Sequence, residues 1–127
     1  MTRTLSDWLD AFPMEHQFDE TYSLDRVRQV AEKMALIPVE FPAVLVTGTN
    51  GKGSVVGICE TLMLAKGVRV GTFTSPHLIR YNERICVQGQ PVEDAQLCEA
   101  FSQIEEARGD IFLSYFEFSV LASLYIF

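Results

Sequence analysis

The residues Thr47-Gly48-Thr49-Asn50-Gly51-Lys52-Gly53-Ser54 have the types and the order needed to hold a phosphate group. Glycines let successive backbone N–H groups converge on one anion. A helix that starts where such a turn ends aims the positive end of its dipole at the same point. Lys52 adds a mobile ammonium for the outer phosphates, and Ser54 adds a hydroxyl suited to Mg²⁺. The segment departs from a standard Walker A pattern in two places. Val46 stands where that pattern needs its first glycine, and Gly53 separates Lys52 from Ser54. A short glycine-rich string also occurs by chance in loops, so its context matters. Here Ala43 to Thr47 reads as a buried β-strand before it, and an apolar-faced helix follows. The implied ligand is a nucleoside triphosphate.

The elements that position this loop can be read from period and punctuation. Thr4 and Asp7 have the spacing of a helix start. Leu5, Trp8, Leu9 and Phe12 then share one face, and Pro13 ends the helix. Met14 to Tyr22 has no period and reads as a loop. Ser23 is a candidate cap for a second helix with Leu24, Val27, Val30, Ala31 and Met34 on its buried face. Pro38 and Pro42 bracket a linker into the strand at 43–47. The helix after the loop places Val55, Ile58, Cys59, Leu62 and Met63 inward, and Gly67 stops it. Val68 to Thr74 reads as another strand. Strand, helix and strand within about 30 residues form a βαβ unit and predict a parallel sheet. Arg84 to Gln88, followed by Gly89 and Pro91, reads as an extended arm or hairpin piece. Glu93 to Arg108 reads as a helix with Leu97, Phe101 and Ile104 on one side and Gly109 beyond its end.

The last segment opens with capping-box spacing, Ser114 and Glu117, and continues as an almost wholly apolar helix to Phe127. Such a helix needs cover on most sides. The chain stops inside it, where a βαβ protein continues into a further strand. The expectation is an amino-terminal fragment of a longer protein, of α/β class. The organisation expected within 1–127 is a helical lead-in at 1–42, the βαβ with its phosphate loop at 43–74, a loop for metal and substrate at 75–91, and helices at 92–127.

Composition narrows the class. The chain has 127 residues, 48% hydrophobic and 21% charged, as in ordinary globular proteins. A net charge of −7 opposes nonspecific nucleic-acid binding, which needs clustered Lys and Arg. The first residues lack the apolar core of a signal peptide, and no apolar run approaches the ~20 residues of a membrane span. Cys59, Cys86 and Cys98 are odd in number and lack metal-type spacing; they read as small core side chains in a reducing cytoplasm.

Four strings together, Thr47 to Ser54 (TGTNGKGS), Thr74 to Leu78 (TSPHL) with Asn82 to Ile85 (NERI), Arg108 to Ile111 (RGDI) and Tyr115 to Phe118 (YFEF), resemble the folylpolyglutamate synthase/dihydrofolate synthase family, within the Mur ligase superfamily. The first string points to the superfamily, and TSPHL followed by NERI to its folate branch. The resemblance runs from near residue 4 to residue 127. It implies a P-loop-containing, Rossmann-like parallel sheet with flanking helices. It also implies ATP and Mg²⁺ as cofactors. ATP phosphorylates a carboxylate of dihydropteroate or of a folate glutamate tail, and the amino group of L-glutamate attacks the acyl phosphate.

The resemblance also implies roles. Thr49, Asn50, Gly51, Lys52 and Gly53 would cradle the phosphates, with Lys52 catalytic. Ser54 and Ser75 would serve the Mg²⁺. Ser114, Tyr115, Phe116 and Glu117 would line the pteroate pocket, with the Phe116 ring facing the pterin. Plainer readings stand beside these. Ser75 before Pro76 starts a turn, Ser114 and Glu117 make only a cap, Phe116 is core, and His77 is a loop histidine rather than a ligand. Arg80 and Arg84 are either surface residues or steer anionic glutamate tails, and Glu83–Arg84 is a surface ion pair. The family's second acidic metal ligand, its glycine-rich pteroate loop, its histidine ligand, its modified lysine and its carboxy-terminal glutamate ligase domain have no counterpart in 127 residues, so the fragment is expected to be inactive alone. The competing readings are another Mur-type amide ligase, a non-catalytic ATP-binding remnant and a small P-loop kinase.

Overall fold

The computed structural model describes residues 3–12 and 23–127. They divide into two compact units, Met1–Glu40 with Asp94–Ile126, and Phe41–Glu93 with Phe127. Pro13 and the loop expected at Met14 to Tyr22 lie outside the described residues.

The first unit is helical. Helix α1 (Leu5–Ala11) begins in a capping box: Asp7 N–H donates to Thr4 Oγ1 at 3.3 Å, and Thr4 N–H donates to the Asp7 carboxylate at 2.8 Å. Hydrogen bonds from Thr4 hold the Asp7 carboxyl below its usual range. Helix α2 (Asp25–Lys33) buries Val30 and Ala31. Ser23 does assist its start, accepting the Asp25 N–H at 3.1 Å. Leu24, expected on the buried face, is exposed, because it is the N-cap residue itself and stands ahead of the helical stripe. Helix α4 (Asp94–Arg108) buries Leu97, Phe101 and Ile104 completely, as their spacing predicts. Helix α5 (Tyr115–Ile126) buries Phe118, Leu121 and Ala122. Two serines enter that apolar face because their hydroxyls bond back along the helix, Ser119 to Tyr115 O at 3.0 Å and Ser123 to Val120 O at 2.7 Å. Aromatic rings join these helices: Phe12 stacks on Phe118 at 4.3 Å and meets Phe101 edge-on at 4.9 Å.

The second unit carries the phosphate loop. Helix α3 (Lys52–Ala65) follows the loop directly and ends, as expected, at Gly67, which has φ +72°. Strands β1 (Gly71–Phe73), β2 (Ile85–Val87) and β3 (Gln90–Pro91) form a sheet in the order β1-β2-β3. Both pairings are antiparallel, with Thr72 opposite Cys86 and Val87 opposite Gln90. The β2–β3 hairpin expected from Gly89 and Pro91 is present. Its turn residues Gln88 and Gly89 have φ of +53° and +76°, and their twist suits a two-residue hairpin.

Two sequence expectations fail here. Residues 43–47 form no ladder among the described residues, and Leu45 is 87% exposed. The expected parallel βαβ pairing across 43–74 is therefore not made: β1 pairs instead with the strand that returns through the 74–84 loop. The inward face assigned to α3 is also open. Ile58 is 61% exposed, Val55 and Leu62 are exposed too, and Cys59 and Met63 are half-buried. Within its unit α3 contacts β1, and one short strand does not cover a fourteen-residue apolar helix. The three cysteines are free and half-buried rather than core residues.

Candidate functional site

The phosphate loop is built by backbone conformation. Gly51 is the N-cap of α3 and takes φ +78°, ψ 4°, a left-handed geometry that favours glycine. The first helical bond is from Val55 N–H to Gly51 O at 3.0 Å. The amides of Lys52, Gly53 and Ser54 thus head the helix without partners from a preceding turn. Thr49, Asn50, Gly51, Lys52, Gly53 and Ser54 are all exposed, so an anion can reach these amides. The Lys52 ammonium folds back across the loop and donates to Gly48 O at 2.6 Å. A positive charge and the start of a helix therefore lie side by side at one exposed loop, which is the arrangement that attracts a phosphate.

Ser75 opens the second element of the candidate site, a loop from 74 to 80 anchored at both ends. Thr74 N–H donates to Arg84 O at 2.8 Å. Arg84 Nε donates to His77 Nδ1 at 2.9 Å, and its guanidinium lies over the Tyr81 ring at 5.5 Å. His77 also meets Tyr81 edge-on. His77 is thus a loop residue tied to Arg84 through its ring. Arg84 is half-buried, not a loose surface arginine.

Glu83 is the residue whose role the sequence reading missed. Its carboxylate accepts the N–H groups of Leu78 at 3.0 Å, Ile79 at 3.0 Å and Arg80 at 2.6 Å. The bonds from Arg80 and then Leu78 hold its carboxyl below the ordinary glutamate range, with Ile79 and nearby His77 adding to the effect. The signal was present as a Glu three residues after Arg80, capping-box spacing at a short 3₁₀ turn (Tyr81–Arg84). A prediction follows with its sign. A depressed carboxyl pKa stabilises the folded loop at and above the ordinary glutamate range, and that stability is lost as pH falls through the lowered value. Amide exchange at residues 78–80, referred to free peptide at each pH, should lose protection on acidification below pH ~4, while the amides of α4 keep theirs.

Ser54 and Ser75 offer neutral hydroxyl oxygens at exposed positions. Hard oxygen donors suit Mg²⁺, which binds through few protein ligands and completes its shell with water and phosphate oxygens. Among the described residues no group of three His, Cys, Asp or Glu could hold a metal by itself. The donor set thus fits a cation that arrives with the nucleotide. Ser114, Tyr115, Phe116 and Glu117 lie in the other unit. Ser114 and Glu117 do form a capping box, with Glu117 N–H donating to Ser114 Oγ at 3.3 Å and Ser114 N–H to the carboxylate at 2.7 Å. Tyr115 sets its ring edge-on to Phe12 at 6.0 Å. Phe116 is exposed, which removes the reading of it as core.

Comparison with known proteins bears out the resemblance. No protein-family model matches the chain. The dihydrofolate synthase/folylpolyglutamate synthase of Haemophilus influenzae is 42% identical over 127 residues, 99% of this chain and 29% of its own length. A bifunctional folylpolyglutamate synthase/dihydrofolate synthase from Yersinia pestis, solved with AMPPNP and Mn ion, matches with TM-score 0.84 and 44% identity over 98% of this chain and 30% of that one. An Escherichia coli relative, solved with DHPP and ADP, matches with TM-score 0.87 and 38% identity over the same shares. The chain spans under a third of the length of these relatives. The α/β class and Mur-ligase-type fold expected from the motifs hold for it, although its own hydrogen-bonded sheet is antiparallel. No helix among the described residues is long and apolar enough to cross a membrane.

Proposed function

We propose that this chain, similar along almost its whole length to the bifunctional dihydrofolate synthase/folylpolyglutamate synthases, is the amino-terminal part of such a ligase and carries its nucleotide half-site. The observation that supports this most is the phosphate loop, with Gly51 in left-handed geometry heading α3 and the Lys52 ammonium lying across the loop at Gly48. The reaction is ATP-dependent ligation of L-glutamate to dihydropteroate or to the glutamate tail of a folate, in the cytoplasm. Bound ATP with Mg²⁺ supplies the phosphoryl group that activates the carboxylate. The chain's own part is to bind and orient. The amides of residues 51–54 and the Lys52 ammonium neutralise the outer phosphates, Ser54 and Ser75 offer oxygens toward the cation, and the Phe116 ring gives a flat apolar face for a pterin.

By itself the chain should not turn over, since phosphoryl transfer needs a complete metal site and a positioned acceptor. The test combines a binding and a rate measurement. With ATP–Mg²⁺ present, dihydropteroate should raise the melting temperature of the chain and UDP-linked cell-wall precursors should not. ADP release should stay at background with pteroate and glutamate together. Stabilisation by the UDP precursors instead would move the assignment to another amide ligase of the superfamily. Release of ADP dependent on both substrates would show that the chain is active alone.

A further inference from the structure

We propose that Glu83 is a positioning residue for Ser75: by gathering the Leu78, Ile79 and Arg80 amides onto its carboxylate it fixes the 75–80 loop, and with it the place where the Ser75 oxygen meets a nucleotide-borne divalent cation. The proposal rests on the reading of Ser75 as a ligand to that cation.

Apolar burial does not hold this loop. Leu78 is 91% exposed and Ile79 88% exposed, so the side chains at its tip stay in water. Three successive N–H groups there need an acceptor, and Glu83 serves all three at 2.6–3.0 Å. Charge-assisted bonds of this kind are the strong ones. The acceptor is itself well rooted. Glu83 sits in the 3₁₀ turn between buried Tyr81 and Asn82 on one side and fully buried Ile85 on the other. Asn82 Nδ2 donates to Val92 O at 2.7 Å, and Cys86 Sγ contacts Glu83 O at 3.6 Å. Thr74, next to Ser75, is tied to Arg84 O at 2.8 Å. The segment from 75 to 80 therefore has one end fixed at Thr74 and the other fixed on Glu83, with His77 bonded to Arg84 between them, and Ser75 stands between a backbone tie and a carboxylate clamp. Loss of the clamp frees three successive amides at the far end, leaves the His77–Arg84 bond as the remaining side-chain tie, and so loosens the place of the Ser75 oxygen relative to the sheet.

The test uses the whole chain, with Mn²⁺ as the probe metal and ADP as the nucleotide. Mn²⁺ binding is followed by electron paramagnetic resonance, and the loop by amide exchange, for the unaltered chain, Ser75→Ala and Glu83→Gln. The Gln side chain keeps one acceptor oxygen and turns an NH₂ donor toward an amide. Glu83→Gln should speed exchange at residues 78–80, weaken Mn²⁺ binding about tenfold or more, and leave metal-free ADP affinity unchanged. Ser75→Ala should weaken Mn²⁺ without altering that exchange. Faster loop exchange in Glu83→Gln with unaltered Mn²⁺ affinity overturns the positioning role, while a loss in Ser75→Ala keeps Ser75 as a ligand. Unaltered Mn²⁺ affinity in Ser75→Ala, or no Mn²⁺ binding by the unaltered chain, overturns the underlying reading and the proposal with it. If Glu83→Gln loses the protected Thr72 and Cys86 amides of the sheet, Glu83→Asp is measured instead. Its shorter side chain reaches fewer of the three amides, and faster loop exchange with no change in Mn²⁺ affinity again overturns the proposal.

Discussion

Lys52→Ala should lower the affinity of the chain for ATP–Mg²⁺ by about thirtyfold to a hundredfold, measured by titration calorimetry at one salt concentration. The size follows from the bond that is lost. A hydrogen bond to a charged partner contributes about 1.5–3 kcal/mol, and each 1.4 kcal/mol is about tenfold in affinity. The structure adds a second reason to expect the upper part of that range. The Lys52 ammonium now lies on Gly48 O at 2.6 Å, so it neutralises a carbonyl that borders the anion site. Without it, an incoming phosphate meets that carbonyl dipole with no cation between them. The amides of 51–54 remain, so weak binding should survive. Equal affinity in the variant would mean that the phosphate charge is met elsewhere, and the reading of this loop would fail. Thermal unfolding of the unliganded variant should change little, because Lys52 is exposed and its one recorded bond is on the surface.

The parts of the fold that were legible in sequence are those whose partners lie within the chain. Leu97, Phe101 and Ile104 were placed on one face by spacing alone, and the other helices of their unit bury them. The Thr4–Asp7 and Ser114–Glu117 boxes were legible because a cap is a contact within one turn of helix. Periodicity states which face prefers burial, not whether anything is there to bury it. Val55, Ile58 and Leu62 have the right spacing and stay in water. Strand 43–47 has the right composition and no ladder partner among the described residues. The parallel pairing expected between 43–47 and 68–74 is not made among the described residues for a related reason. A strand–helix–strand order suggests βαβ pairing, but β1 has a nearer partner in β2, brought back by the 74–84 loop. The phosphate loop was legible because its chemistry is local. The Glu83 clamp left one mark in the sequence, a Glu three residues after Arg80, with no hydrophobic pattern around it, and its neighbour Arg84 suggests an ion pair instead.

Two substitutions of similar apolar residues separate wanting burial from having it. Phe101 is fully buried, with Phe12, Trp8 and Phe118 at ring distances of 4.9, 6.1 and 6.3 Å. Phe101→Ala removes the ring on which the other three converge and leaves a cavity walled by aromatic groups from α1 and α5. The expected cost is about 3–5 kcal/mol, a large fraction of the roughly 5–15 kcal/mol that holds a small protein folded. Urea unfolding followed by fluorescence of Trp8, the one tryptophan of the chain, reads this unit directly. Ile58→Ala deletes comparable apolar surface from α3, yet Ile58 is 61% exposed. Its cost should stay within about 0.5 kcal/mol, offset in part by the better helix propensity of alanine. A loss at Ile58 as large as that at Phe101 would mean that the open face of α3 is covered in solution. A small loss at Phe101 would mean that the aromatic cluster packs loosely enough to close over the gap.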